Sequence, residues 1–120
     1  MRVDLEAIRG DTTEWSLTVA KDDLPVDLTG AKLWMTGLRN RGGTQIFQRT
    51  SDLDGGIVID DDQDLNPGKA VIKLAPDNTS SLASEEVTLY YDIQVKRGAD
   101  LWTVTYGDLR ITPDATSETS

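Results

Sequence analysis

Apolar and polar side chains alternate with period two along almost the whole chain, and no stretch of ten or more residues shows a helical period. Val3, Leu5 and Ala7 alternate with Arg2, Asp4 and Glu6, and Trp15, Leu17 and Val19 alternate with Glu14, Ser16 and Thr18. Successive side chains of a strand point to opposite faces, so such a pattern describes strands with one face in a core and one in water. Leu33 and Met35 share one face of a strand, and Trp34, Thr36 and Leu38 share the other. The longest run is Val87 to Lys96, with Leu89, Tyr91, Ile93 and Val95 on one side. Shorter runs are expected at Gln45 to Gln48, Ile57 to Ile59, Ala70 to Leu74, Leu101 to Tyr106 and Asp108 to Thr112.

Turn chemistry punctuates these runs. Arg9-Gly10-Asp11, Lys21 to Pro25, Arg39 to Gly43, Asn66-Pro67-Gly68 and Gly98-Ala99-Asp100 each place glycine, proline or aspartate between strands. Pro76 to Ala83 has room for one helical turn. The pattern predicts an all-β fold of about seven or eight strands, an antiparallel sandwich or barrel. Without crossover helices a parallel α/β fold is excluded. The expected organisation is a single domain over residues 1–113 followed by a polar tail over 114–120.

Composition then narrows the chemistry. The 120 residues include no cysteine and no histidine, which removes thiolate sites, the commonest general base and the commonest metal ligand. Ser80 and Ser84 lack an activating imidazole, and the pairs Glu85-Glu86 and Asp22-Asp23 point apart or into water rather than at one substrate. The chain is therefore read as not an enzyme, with no catalytic residue and no cofactor. Acidic residues outnumber basic ones 21 to 12, a net charge of −9 that repels phosphate backbones, so nucleic acid is not an expected partner. No apolar run approaches the roughly 20 residues of a membrane-crossing helix, and Met1 to Glu6 does not read as a signal peptide.

Several short motifs resemble, in order and spacing, small immunoglobulin-like β-sandwich proteins of tailed bacteriophages and prophages, a group that includes the N-terminal domain of a baseplate upper protein. They are Arg9-Gly10-Asp11-Thr12, Pro25-Val26-Asp27-Leu28-Thr29-Gly30-Ala31, Gly56-Ile57, Gly68-Lys69-Ala70 and Leu74 to Thr79. Tyr91-Asp92-Ile93-Gln94-Val95 and Gly107 to Asp114 complete the set. The likeness runs from about Ile8 to Pro113 and departs at Gly37, where a third inward apolar residue is expected; a bulge or close backbone contact would explain the glycine. It implies an antiparallel immunoglobulin-like β-sandwich located in the virion. The implied function is a structural, adaptor or decoration component of the tail, baseplate, fibre attachment or capsid surface. Its implied partners are other virion proteins, with multiple copies or a homo-oligomer in the particle.

Trp34 and Leu38 lie on a face opposite the core, and a large apolar side chain left there points to a protein interface. Trp102 and Tyr106 are candidates on the same grounds, and Arg39 and Arg41, clustered with Arg49, offer charge steering to an acidic neighbour. The alternative is a carbohydrate-binding or host-surface adhesion module, with Trp34, Trp102 or Tyr106 stacking on a glycan. Asp60, Asp62 and Asp64 have the alternating spacing of a calcium loop. Leu65 stands where such a loop needs glycine and Val71 where it needs glutamate, so an EF-hand is excluded; a solvated acidic loop is preferred over the alternative, an irregular calcium site of Asp60, Asp61, Asp62, Asp64 and Asn66. Arg9-Gly10-Asp11 spells an adhesion tripeptide but reads as a strand-connecting turn.

Overall fold

The computed structural model describes residues 2–40, 42–79 and 87–113. Within them the chain runs through β1 (Leu5–Ile8), β2 (Thr13–Thr18), β3 (Ala20–Lys21), β4 (Leu24–Pro25), β5 (Lys32–Leu38) and β6 (Gln45–Thr50). It continues through β7 (Ile57–Ile59), β8 (Lys69–Leu74), the single helical turn α1 (Pro76–Thr79), β9 (Val87–Arg97) and β10 (Asp100–Thr112). The protein is all-β. A five-stranded sheet ordered β1-β10-β9-β5-β6 curls into a half-barrel, a three-stranded sheet is ordered β2-β8-β7, and β3 pairs with β4 as a small hairpin.

The alternation read in the sequence sets the core. Leu33 and Met35 of β5, Leu89, Tyr91, Ile93 and Val95 of β9, and Ala70, Ile72 and Leu74 of β8 are all buried and form one cluster with Leu109 and Ile111. Trp15 and Leu17 of β2 pack against it but stay half-buried. At Gly37 the missing side chain has a visible replacement: a Cβ there would overlap the ring of Phe47, which crosses from β6 and is buried. An aromatic on the neighbouring strand fills the glycine's space. The register also shifts at Gly37/Leu38, so both a close contact and an irregularity occur.

Four features differ from the sequence expectation. Leu101 to Thr112 is one strand, not two: Gly107 keeps an extended backbone, and the irregularity falls at Val104, where the register shifts between Thr103 and Thr105. Lys21 to Pro25 is not a plain turn but a hairpin, whose tip residues Asp22 and Asp23 have φ of 54° and 66°. Positive φ at two successive residues is the backbone of a type I′ turn, which matches the twist of paired strands. The fold is not wholly antiparallel, because β1 runs parallel to β10, Leu5 opposite Leu109 through Ile8 opposite Thr112. The strand segments number ten among the described residues, more than the alternation suggested, because β3 and β4 are only two residues each and carry no readable period.

Three contacts hold the start of the chain across β10. Val3 donates its amide to the Tyr106 carbonyl at 2.8 Å, the Tyr91 hydroxyl donates to the Val3 carbonyl, and Asp4 accepts from the Asp108 amide at 3.0 Å. A Cβ on Gly107 would collide with the Val3 carbonyl, so the crossing needs glycine there. Burial pushes the Tyr91 phenol above its ordinary pKa, against a smaller opposing pull from the Thr105 hydroxyl.

Candidate interaction face on the five-stranded sheet

The outer side of the half-barrel collects the polar-phase residues of β5, β9 and β10 in rows. Register puts Trp34 between Gln94 and Thr50, and Thr36 between Asp92 and Gln48. Leu38 lies between Tyr90 and Gln45, while Tyr106 lies opposite Asp92 and Asp108 opposite Tyr90. Trp34, Leu38 and Tyr106 therefore share one continuous face with Tyr90, and each is half-buried. Asp92 sits at its centre, and burial among these side chains raises its carboxyl above the usual aspartate range. Tyr90, Asp92 and Gln94 are not among the site residues expected from the sequence. Their signal was the even-numbered phase of the Val87–Arg97 run, opposite its apolar phase.

Trp102 lies elsewhere. It pairs with the fully buried Val95, so it belongs to the core-facing side of β10 and packs against the core. Its indole N–H is buried with no hydrogen-bond partner among the described residues. Both candidate indoles are capped by ammonium groups: Lys32 Nζ stands 5.1 Å from the Trp34 ring centroid and Lys21 Nζ stands 5.0 Å from that of Trp102. Lys32 is in turn tied to Asp52 at 2.9 Å. A cation over an indole occupies the π face on which a pyranose would stack.

The basic cluster is divided by the fold. Arg39 is exposed at the end of β5, beside a hollow it lines with Arg2, Asn40, Tyr90 and Asp108. Arg41 lies outside the described residues. Arg49 is no part of this group: its Nε donates to the Lys73 carbonyl at 3.0 Å, and its guanidinium fills the space above Gly56, clamping β6 to the other sheet.

The acidic loop spends its carboxylates on its own backbone. Asp60 accepts from the Asp62 amide at 2.8 Å and Asp62 from the Leu65 amide at 3.1 Å. Inside the loop, the buried Gln63 accepts from the amides of Leu28 and Gly68 at 2.9 and 3.0 Å and donates to the Asp60 carbonyl. Asp64 is exposed, and among the described residues no three acidic side chains gather as a metal-holding group. Arg9-Gly10-Asp11 forms the β1–β2 turn with Gly10 at φ 79°, its amide held by Thr79 Oγ1. Asp22 and Asp23 sit exposed at their hairpin tip, while Ser80, Ser84 and Glu85-Glu86 lie outside the described residues.

The sequence matches no protein-family model and no curated protein.

Proposed function

We propose that this chain is an immunoglobulin-like β-sandwich acting as a structural, adaptor or decoration component of a bacteriophage virion, through protein–protein contacts and in multiple copies. The strand order supports the sandwich reading. β10-β9-β5-β6 facing β2-β8-β7 follows the order G-F-C-C′ against B-E-D of variable-type domains, with β1 beside the last strand. The phage assignment rests on the motif resemblance, and fold likeness by itself carries no function.

The observation that carries a binding role is the shared outer face of Trp34, Leu38, Tyr90 and Tyr106, with the half-buried Asp92 at its centre. Aromatics ringed by polar groups are the composition of a protein interface, where large rigid side chains bury area at little entropic cost. The exposed Arg39 at one end gives the face a charged rim. The lysines over Trp34 and Trp102 count against glycan stacking as the primary use.

The test is particle composition combined with footprinting. Phage particles purified from the cells that carry this gene should contain the chain at a fixed stoichiometry. Trp34 and Tyr106 should be protected from hydroxyl-radical oxidation in the particle relative to the free chain, and Trp34→Arg should retain its Tm yet fail to incorporate. Particles lacking the chain would overturn the virion role, and unprotected Trp34 and Tyr106 would overturn the face.

A further inference from the structure

We infer that the free edge of β2, together with the cleft beside it, is an acceptor groove for an extended segment of a partner protein, with alternating apolar residues and a basic end. The two sheets are unequal, five strands over three. At about 4.8 Å per strand, the mismatch leaves roughly 10 Å of the larger sheet uncovered. On the β6 side the sandwich is closed by Arg49 and by the bridge between Thr50 and Gly56. On the other side it is open among the described residues. There a cleft of about 440 Å³ runs between the sheets, walled by Val3, Leu5, Trp15, Leu17, Ile93 and Val104 among others. An added strand beside β2 would lie opposite β10 and β1 and send every second side chain into this cleft.

The backbone of β2 is presented for such pairing. Val19, which continues β2, bonds the Gly68 carbonyl through its amide. Hydrogen-bonded pairs alternate along an antiparallel ladder, so Thr13, Trp15 and Leu17 direct their peptide groups toward β8. Glu14, Ser16 and Thr18 direct theirs outward, and no other strand among the described residues lies on that side. Edge strands are usually protected by proline, charged side chains (lysine above all), a bulge or shortness. Thr13-Glu14-Trp15-Ser16-Leu17-Thr18 has six residues in unbroken register, neither proline nor lysine, and Glu14 as its one charge.

Charge selects the occupant. The charged residues in the cleft lining are Asp22 and Asp23, both with left-handed backbone. The neighbouring cations are engaged elsewhere: Lys21 with Asp100 and the Trp102 ring, and Lys69 with Thr18 Oγ1 on the far face of the sheet. In a chain of net charge −9, a second copy would bring like charges together, whereas an extended segment ending in Lys or Arg would meet Asp22 and Asp23. Main-chain pairing would supply affinity and the alternate side chains specificity, as in β-strand addition generally.

A Trp34→Phe, Trp102→Phe background leaves Trp15 as the fluorescent reporter in the cleft. The probe is a synthetic peptide of about eight residues alternating Val with Thr and ending in two Lys, a typical strand length. It should produce a saturable blue shift of Trp15 and protect the amides of Glu14, Ser16 and Thr18 from hydrogen exchange. A counterpart ending in two Glu should bind at least about tenfold more weakly, about 1.4 kcal/mol. Asp22→Asn with Asp23→Asn, which suits the left-handed turn, should erase that preference. Ser16→Pro removes an outward amide that the fold does not use, so it should keep the Tm and lose binding by tenfold or more. Failure of the Lys-ended peptide to shift Trp15 would overturn the inference. So would binding that survives Ser16→Pro without amide protection, or a dimer of the free chain that Ser16→Pro abolishes.

Discussion

The carboxamide of Gln63 accepts from Leu28 and Gly68 and donates to Asp60, so one side chain joins the segment before β5 to both ends of the acidic loop. Removing it strands two buried amides, each costing about 1–3 kcal/mol when unpaired. Gln63→Ala should therefore lower stability by about 2–4 kcal/mol, seen as a fall of about 10 °C in Tm by circular dichroism. Asp92 makes the opposite case. Its carboxyl is raised by burial, so the folded chain holds that proton to higher pH than the unfolded chain does. Stability from this group is present at low pH and is lost as pH rises through the folded value. Asp92→Asn should accordingly raise Tm at pH 7 and give no gain below about pH 3, where the carboxyl is protonated in both states. A gain that persists in acid would show that shape or hydrogen bonding, not ionisation, is responsible.

Among the paired strands described, β1 has its partner furthest away in sequence, Leu5 lying opposite Leu109. Its approach is fixed by the Tyr91 hydroxyl and by the space above Gly107, and it ends with Arg9 donating its amide to the Thr112 carbonyl. Gly107→Val should push the crossing off β10 at a cost of about 2 kcal/mol, within the range for overpacking. Tyr91→Phe should cost about 1 kcal/mol through the lost hydrogen bond alone. Hydrogen exchange at residues 5–8 separates them: fast in Gly107→Val, close to the parent in Tyr91→Phe. Equal exchange in both would mean that Gly107 does not gate the strand. None of this was legible beforehand. Alternation marked Val3, Leu5 and Ala7 as strand residues, but period two carries no information on direction or partner. The same limit explains β10, where Gly107 resembled a break because strand glycines so often mark one.

At the scale of the whole molecule, what could be read was the set of inward residues. Leu33, Met35, Leu89, Tyr91, Ile93, Val95, Ala70, Ile72 and Leu74 follow from alternation, because water exposure on one face is the force that writes the pattern. Trp34 and Leu38 were legible as outward for the same reason. Their assembly with Tyr90 and Tyr106 was not, since it needs β9 to pair with β5, a contact between segments far apart in the chain, and the bulge in β10. Trp102 and Arg49 were misplaced in the sequence grouping because a bulge at Val104 and a clamp between sheets leave no periodic trace. The parallel pairing of β1 with β10 has a mechanical consequence. Tension applied ahead of Leu5 and beyond Thr112 would pull the two strands past each other along their length, loading the bonds between them together rather than peeling them one at a time. Forced unfolding is governed by the height of that barrier, and a part pulled from both ends would resist in shear.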